Sequence, residues 1–231
     1  MKMAVIPARG GSKRIPRKNI RNFCGQPMIA YAINTAKESG LFERIVVSTE
    51  DEEIRTVSLA YGAEVPFSRP KELADDHTAT VPVIKHAITA CQAIGWNPDI
   101  VCCIYPAVPL LQPTDLSRAL DLLLENPKAQ YSFPITEFPS AVQRALASDE
   151  RGHVSSIYKE FQLTRTQDLT RAFYDTGQFY WGYSSAWLSG LSPHNNAVGS
   201  ITSRWKAVDI DTEDDWLQAG LLYETIKRMQ S

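Results

Sequence analysis

A basic loop close to the beginning of the chain has the residue types that bind a polyphosphate. The glycine pair at residues 10–11 follows an apolar run at residues 3–7, and glycines let backbone N–H groups approach an anion closely. The cations that would neutralise phosphate charge there are Arg9, Lys13 and Lys18. The loop matches neither G-x-G-x-x-G nor G-x-x-x-x-G-K-[ST], and an exposed basic loop after an edge strand is the alternative interpretation.

Two aspartates far along the chain, Asp209 and Asp211, have the spacing of a metal site. We predict a strand at residues 206–210, and side chains two positions apart on a strand project from the same face. Paired carboxylates repel each other unless a cation lies between them, and oxygen ligands of this kind suit Mg²⁺ shared with phosphates. The alternative is a helix N-terminus, with Thr212 as the N-cap followed by acidic residues that face the helix dipole. That alternative does not account for Asp209.

Cysteine and histidine spacing indicates neither a zinc site nor a disulfide framework. The cysteines are Cys24, Cys91, Cys102 and Cys103, and the histidines are His77, His86, His153 and His194. Cys102 and Cys103 lie in an apolar run, where a free thiol behaves as a small buried hydrophobe. We therefore predict a reducing, cytoplasmic compartment, no catalytic cysteine, and histidines that lie at the surface or in packing contacts.

Composition excludes several classes of protein. The chain has 231 residues, a net charge of -2 and 44% hydrophobic residues, which is enough for one large α/β domain with a continuous core. Disorder and coiled coil do not fit these values. No apolar stretch reaches the length of a membrane span, and a near-zero net charge is not typical of a nucleic-acid binder. We predict neither a membrane nor a nucleic-acid partner.

The elements that must position these residues alternate between strand and helix over the first half of the chain. We predict strands at residues 3–7, 44–48, 64–65 and 99–105, and helices at residues 28–39, 50–61, 79–94 and from Thr114 onward. Alternation of this kind indicates an α/β fold with a mostly parallel twisted sheet covered by helices on both faces. Ligands in such folds bind beyond the carboxyl ends of the strands.

The alternation of strands and helices stops in the second half of the chain. Residues 136–174 are polar, broken by prolines and without helical periodicity, so we predict a small β-rich excursion inserted into a single domain that spans residues 1–231. A segment of this kind is a common place for a dimer contact or a lid. Strands are predicted again at residues 178–183 and 206–210, before a closing helix that begins at Thr212.

Several segments resemble the acylneuraminate (nonulosonic acid) cytidylyltransferases, the CMP-sialic acid synthetase family. Residues 4–20 are similar to the signature of that family, and further matches lie at residues 47–49, 69–74 and 209–212. The matches fall in the same order as in the family and span nearly the whole chain. Within the family, residues 103–106 and 175–181 resemble the branch that activates pseudaminic acid.

The resemblance implies a Rossmann-like three-layer nucleotidyltransferase fold and a set of site residues. The positions that would bind the nucleotide are Ala8, Arg9, Gly10, Gly11, Ser12, Lys13, Lys18, Asn19, Arg69, Ala79 and Thr80. Arg69 would help to select cytosine, and Asp209 and Asp211 would hold Mg²⁺ or Mn²⁺. The sugar would contact Tyr105, Asp175, Gln178 and Tyr180. Family members work as homodimers in which an excursion like residues 136–174 reaches toward the partner's active site.

The chain departs from sialic acid synthetases beside the sugar. Those enzymes usually read Gln-Pro-Thr-Ser-Pro-Leu-Arg where this chain has residues 105–111, so both the glutamine and the arginine are missing. N-acetylneuraminate therefore fits less well as the substrate. Ala107 also differs from the pseudaminic acid branch, where a threonine is expected.

The reaction implied is the transfer of CMP from CTP to the anomeric 2-hydroxyl of a nine-carbon acid sugar, with pyrophosphate released, for glycosylation of a surface glycan or flagellin. Arg9 and Lys13 would stabilise charge on the pyrophosphate, and the metal held by Asp209 and Asp211 would assist. Alternatives are the activation of legionaminic acid, N-acetylneuraminate or Kdo, a dinucleotide-dependent oxidoreductase, and a non-catalytic homologue. The oxidoreductase lacks its glycine fingerprint, and a non-catalytic homologue has no reason to keep both sets of charges.

Overall fold

In the computed structural model, which describes residues 1–230, a seven-stranded sheet lies between helices on both of its faces. The strands are β1 Lys2–Pro7, β2 Asn22–Phe23, β3 Gln26–Pro27, β4 Arg44–Ser48, β5 Ile100–Ile104, β6 Tyr131–Glu137, β7 Leu146–Ser148, β8 Val154–Ser156, β9 Phe173–Asp175, β10 Phe179–Tyr183 and β11 Ala197–Ile201. The α-helices are α1 Met28–Ser39, α2 Glu52–Ala60, α3 Thr80–Ala93, α4 Pro113–Glu125, α5 Ser184–Ser189 and α6 Glu213–Gln230.

The sheet has the strand order β11-β6-β10-β5-β1-β4, with β9 paired to β6 beside this path. β1 is parallel to β4 and β5, and β11 is parallel to β6. β10 is antiparallel to both β5 and β6, and β9 is antiparallel to β6. All strands of this sheet except β9 and β10 therefore run in one direction, and the predicted mostly parallel α/β fold is confirmed.

Alternation along β1 divides the core between the two faces of the sheet. Ala4 and Ile6 pack with residues of α1, α2 and α4, whereas Met3 and Val5 pack with residues of α3 and α5. Because all four side chains are fully buried, β1 lies in the interior of the molecule. Such a strand reads as a continuous apolar run, which is the pattern of a strand buried on both faces.

A third apolar cluster fixes the last helix, α6, against the loop that follows β1. Phe23 makes edge-to-face contacts with Trp216 and Tyr223, at ring-centroid distances of 5.2 and 5.9 Å. Ile15 and Ile210 are buried in the same cluster. The two ends of the described chain are thus held together by apolar packing, beside the residues predicted to do chemistry.

Most predicted elements of the first half are confirmed, and the differences at their ends have local causes. Helix α1 ends as predicted at Gly40, which has the left-handed φ of 63°. Helix α2 begins later than predicted, because the side chain of Asp51 caps it by accepting from the backbone N–H of Glu53 and Ile54. The predicted cap at Thr114 is wrong: Gln112 is the N-cap of α4, and Pro113 takes the first helical position. The strand predicted at residues 64–65 is only an isolated bridge between Glu64 and Val46 of β4.

The predicted strand at residues 206–210 is wrong. Arg204–Lys206 form a 3₁₀ turn, and residues 207–211 have no regular structure. Backbone carbonyls of this segment accept hydrogen bonds from side chains instead of from a neighbouring strand. Gln178 Nε2 donates to the carbonyl of Lys206 (2.6 Å), and Lys18 Nζ donates to the carbonyl of Ile210 (2.6 Å). Strand β11 and helix α5 were not predicted.

The excursion leaves the sheet after β6 and returns at β9, because residues 136–137 and 173–174 belong to paired strands. Between them, β7 and β8 form an antiparallel hairpin, and the rest is built of 3₁₀ turns and irregular backbone. Within residues 1–230, none of the helices combines the length and apolarity that a membrane crossing requires.

Candidate active site

A cleft of about 650 Å³ opens at the edge of the sheet where β1 and β5 end. Residues that follow β1 line one wall, and Tyr105, Pro106, Ala107 and Val108, which follow β5, line another. Because β10 runs antiparallel to β5, its beginning lies at the same edge and adds Gly177 and Tyr180. This is the edge at which ligands bind in open α/β sheets.

The loop after β1 is anchored to the end of β4 by carboxylates. Arg17 forms a two-pronged ion pair with Asp51, at 2.6 and 2.9 Å, which lowers the pKa of Asp51 to about 2, chiefly through the Arg17 hydrogen bond. The backbone N–H of Gly10 donates to Glu50 at 2.7 Å. A Cβ at Gly10 would lie 2.4 Å from a carboxylate oxygen of Asp51. Any residue other than glycine at this position would therefore push the loop away from Asp51.

Two predicted phosphate-binding cations, Arg9 and Lys13, project into the cleft and share one carboxylate. Arg9 Nη1 contacts one oxygen of Asp76 and Lys13 Nζ contacts the other. Asp76 lies in the loop between α2 and α3 and itself lines the cleft. The cations have no acidic neighbour in the sequence, yet they are paired in the folded chain.

Arg69 lines the cleft while its side chain is almost completely buried, at 5% exposure. Its Nε donates to the hydroxyl of Ser48 at 3.1 Å, and its Nη2 donates to the carbonyl of the same residue. Burial lowers the pKa of Arg69 to about 10, opposed by the nearby carboxylate of Glu50. The guanidinium is therefore charged at neutral pH and fixed in one orientation, which is what recognition of a planar, hydrogen-bonding group requires.

Asp209 and Asp211 both line the cleft although they do not lie on a strand. Asp211 pairs with Arg14 at 2.8 Å and with Lys18 at 3.4 Å. Desolvation within the concave wall raises the pKa of Asp209, and the nearby charge of Asp211 adds to the rise. A cation between the two carboxylates would relieve this repulsion.

These two side chains fit a metal ion that completes its shell with phosphate and water oxygens. Among residues 1–230, no group of three or more His, Cys, Asp or Glu side chains is arranged to hold a metal. Mg²⁺ commonly binds proteins through one or two carboxylates and takes its other ligands from substrate phosphates and water. The donor set is therefore that of an ion which binds together with a polyphosphate.

Aromatic and hydroxyl side chains form the side of the cleft that was predicted to bind a sugar. Tyr105 and Thr80 share a hydrogen bond between their hydroxyl groups. The Tyr180 hydroxyl donates to Asp175 at 2.7 Å, and His194 Nε2 lies 2.8 Å from the same carboxylate oxygen. Because its proton is directed to Asp175, Tyr180 presents oxygen lone pairs to a ligand. Burial raises the pKa of both tyrosines, so they are neutral at physiological pH.

Behind this wall, buried polar contacts hold the segment that carries the aspartates. Lys206 Nζ lies 2.9 and 3.0 Å from the two carboxylate oxygens of Asp115 in α4. Their side chains are only 16% and 8% exposed. Gln178, which is 3% exposed, donates to the carbonyl of Lys206. These bonds fix residues 204–206, and the two aspartates follow directly.

The structure brings most of the predicted site residues to the cleft. Those that line it are Arg9, Ser12, Lys13, Lys18, Asn19, Arg69, Thr80, Tyr105, Tyr180, Asp209 and Asp211. Those that do not line it are Ala8, Gly10, Gly11, Ala79, Asp175 and Gln178. Asp175 accepts a hydrogen bond from Tyr180, and Gln178 donates one to the carbonyl of Lys206. Their predicted contacts with the sugar stay predictions.

Sequence reasoning missed three charged residues of the cleft: Arg14, Asp75 and Asp76. The aspartates follow directly after the family-like segment at residues 69–74, and that adjacency was the available signal. His194 is a surface residue, as predicted, but it bonds to Asp175. Cys91, Cys102 and Cys103 are buried thiols whose pKa is raised by desolvation, which agrees with the prediction that they are not nucleophiles.

Comparison with known proteins places these features among cytidylyltransferases. A family model described as cytidylyltransferase matches residues 3–229. The pseudaminic acid cytidylyltransferase of Campylobacter jejuni subsp. jejuni serotype O:23/36 (strain 81-176) is 42% identical over 96% of both chains. The CMP-N,N'-diacetyllegionaminic acid synthase of Legionella pneumophila subsp. pneumophila (strain Philadelphia 1) is 29% identical, again over 96% of both. A solved CMP:2-keto-3-deoxy-manno-octonic acid synthetase in complex with CTP has a TM-score of 0.71 and 18% identity, covering 97% of this chain and 98% of that one. This last likeness concerns the fold alone.

Proposed function

The chain belongs to the cytidylyltransferase family of CTP-dependent nucleotidyltransferases, and on that premise we propose that it transfers CMP to pseudaminic acid. The products are the CMP-sugar and pyrophosphate, and the activated sugar would supply glycosylation of a surface glycan or flagellin. The acceptor is supported by the Campylobacter jejuni relative, whose identity of 42% extends over 96% of both chains.

One juxtaposition carries the proposal: the cationic loop after β1 and the carboxylates of Asp209 and Asp211 line a single cleft. Lys18 connects the two sides directly, through the carbonyl of Ile210 and the carboxylate of Asp211. A ligand that needs both sides must carry several negative charges and bring a cation with it. A nucleoside triphosphate with its metal ion has that chemistry.

In the proposed reaction, the anomeric hydroxyl oxygen forms a bond to the α-phosphorus of CTP, and the bond from that phosphorus to the bridging oxygen breaks. The hydroxyl proton leaves to solvent, and pyrophosphate departs with the bridging oxygen. Arg9 and Lys13 would neutralise the charge that grows on the departing group, and Ser12 would add a hydrogen bond. Arg69 would hold the cytosine ring. Mg²⁺ or Mn²⁺ held by Asp209 and Asp211 would supply further charge neutralisation and lower the pKa of the attacking hydroxyl.

The sugar would occupy the wall made by Tyr105, Ala107 and Tyr180. Tyr180 offers an acceptor there because its proton is committed to Asp175, and an acceptor suits the N–H of an acylamino substituent. The missing hydroxyl at Ala107 leaves an apolar surface where a methyl group would fit. Legionaminic acid, N-acetylneuraminate and Kdo are the alternative acceptors, and the Legionella pneumophila relative keeps the first of these open.

We further propose that the enzyme is a cytoplasmic homodimer in which residues 136–174 form the contact. Large apolar side chains on this segment are exposed, and Leu163 is 99% exposed. The others are Phe138, Leu146, Val154, Ile157 and Tyr158. A concentration of apolar surface on one segment supports an interaction site. The cytoplasmic location rests on the four free thiols.

A pyrophosphate-release screen tests the proposal. The enzyme is mixed with each of the four nucleoside triphosphates and with each acid sugar in turn, including pseudaminic, legionaminic and N-acetylneuraminic acids and Kdo. We expect release only with CTP, and fastest with pseudaminic acid, together with a CMP-sugar of the matching mass. Release with UTP or GTP but not with CTP would contradict the assignment of Arg69, and a faster reaction with another sugar would replace the proposed acceptor.

A further inference from the structure

One carboxylate in the cleft binds the cations that the triphosphate would need. Asp76 contacts Arg9 with one oxygen and Lys13 with the other. The side chain of Asp76 is 29% exposed, and those of Arg9 and Lys13 are 35% and 81% exposed. All three therefore meet solvent in the cleft, so an incoming anion can reach them without unfolding anything.

The loop that carries Asp76 is locally fixed by its neighbour. One oxygen of Asp75 accepts from the backbone N–H of His77 (2.9 Å), from the backbone N–H of Thr78 (2.6 Å) and from the Thr78 hydroxyl (2.7 Å). This turn is a typical role for an aspartate in a loop. Asp76 takes no part in it, and its carboxylate bonds only to the two cations among the side-chain contacts of the described residues. Asp76 is therefore not needed to shape the turn.

Asp76 is ionised throughout the physiological range. Hydrogen bonds from Lys13 and Arg9 lower its pKa to about 2. Asp211 similarly neutralises Arg14 and Lys18 on the other side of the cleft. The cations of the cleft are thus balanced by its own carboxylates, although the loop after β1 is strongly basic in sequence.

We propose that Asp76 is an exchangeable counter-ion, which holds Arg9 and Lys13 until the triphosphate binds, yields them to it, and takes them back as pyrophosphate leaves. The inference rests on the proposed function, because it assigns phosphate to these two cations. It adds that the Asp76 carboxylate competes with polyphosphate for Arg9 and Lys13. The cleft therefore binds polyphosphate more weakly than it would without this carboxylate. Such a competitor weakens the binding of pyrophosphate, which carries several negative charges, and so favours its release.

The test compares Asp76→Asn with Asp75→Asn by calorimetric titration with pyrophosphate and with CTP. The two variants remove the same charge from adjacent positions that both line the cleft, and only Asp76 pairs with cations. Asparagine keeps the acceptor oxygen that the turn at Asp75 needs. We expect Asp76→Asn to bind pyrophosphate and CTP about three- to tenfold more tightly than the wild type, the range that release from two exposed ion pairs gives. Asp75→Asn is expected to change either affinity by less than about twofold.

Titrations with pyrophosphate are run in the presence of a chelator and again with Mg²⁺. Tighter binding by Asp76→Asn in both conditions supports the counter-ion. Equal or weaker binding in the chelator overturns it, and weaker binding only with Mg²⁺ would make Asp76 a metal ligand instead. An equal tightening in both variants would reduce the effect to net charge, and would also overturn the inference. Failure of the wild type to bind CTP would count against the proposed function itself.

Discussion

At the scale of single residues, the two aspartates of the cleft differ in what they contact. Asp211 is held by Arg14 and Lys18, whereas Asp209 has no hydrogen bond among residues 1–230 and has a raised pKa. A metal ion arriving with a triphosphate would displace cations from Asp211 and would lower the pKa of Asp209 by its charge. The arrangement supports binding of metal and nucleotide together.

Replacing one of these carboxylates should stop the reaction without unfolding the chain. We expect Asp211→Ala to lower turnover at least about 100-fold, because an electrostatic partner of the reacting phosphates is lost. Asp214→Asn is the control, since Asp214 is an exposed acid three positions away that does not line the cleft. Turnover is measured by pyrophosphate release at saturating Mg²⁺ and the fold by circular dichroism. Near-normal turnover of Asp211→Ala would contradict the metal assignment.

The cations of the cleft were predictable from the sequence, but their partners were not. Arg9 and Lys13 stand out because no acidic residue accompanies them locally. Asp76 lies 67 positions after Arg9 and looks like any polar loop residue. Only the order of the strands brings the two loops to one edge of the sheet, and a side-chain pairing of that kind leaves no local pattern.

At the scale of elements, residues 208–211 alternate between apolar and polar side chains as a strand does, yet they do not form the predicted strand. Ile210 is buried in the third apolar cluster, while Asp209 and Asp211 line the cleft. The alternation of apolar and polar residues therefore does divide core from site, as the sequence predicted. No ladder forms, because the neighbouring backbone groups bond to Lys18, Gln178 and Asp215.

The buried ion pair between Lys206 and Asp115 should position this segment. We expect Lys206→Met to lower the free energy of unfolding by about 3 kcal/mol, because a buried carboxylate loses its partner, and to lower turnover as Asp209 shifts. Urea unfolding and pyrophosphate release measure the two effects. Lys128→Met, at an exposed position on the loop after α4, serves as the control. Adding Asp115→Leu should restore part of the lost stability, and no recovery would mean that the pair itself is not the cause.

The pair of Arg17 and Asp51 should make the stability of the chain sensitive to acid. The pKa of Asp51 is about 2 in the folded chain against an ordinary value of 3.8. Its contribution is therefore fully present above about pH 4 and is lost as the pH falls from about 4 to about 2. Asp51→Asn keeps a helix cap but removes the charge, so we expect it to be less stable at pH 7 by about 1–2 kcal/mol.

The measurement is a series of urea unfolding curves between pH 7 and pH 2. The difference between wild type and Asp51→Asn should shrink below pH 4. The free energy of unfolding of Asp121→Asn, at an exposed position of α4, should change with pH in the same way as that of the wild type. A constant difference for Asp51→Asn across the series would mean that the ion pair does not stabilise the fold.

At the scale of the whole molecule, the family and the fold class could be predicted from the sequence, because its motifs fall in order along nearly the whole chain. The placement of β10 between β5 and β6 could not. The chain passes from β6 through the excursion before it returns to pair with β5 and β6, and this long-range pairing is set by the packing of both sheet faces. The same placement brings Tyr180 to the cleft beside Tyr105.

The excursion should determine the oligomeric state. We expect the wild type to be a dimer, and Leu163→Asp to shift it toward monomer, because a charge would be buried in the contact. Leu217→Asp is the matched control on α6, where the leucine is 64% exposed. Light scattering after size-exclusion chromatography reports the mass. A monomeric wild type, or a dimer that Leu163→Asp leaves intact, would contradict the proposed contact.

Lys18 and Ile210, which bond across the cleft, are separated by 192 positions. The last strand of the sheet ends at Ile201, so every strand is translated before Asp209. The cleft therefore cannot be completed until this late part of the chain has left the ribosome and folded against the loop after β1. A chain that ends after β11 would lack Asp209, Asp211 and α6 and should not turn over, and activity that appears during translation would mark the docking of α6.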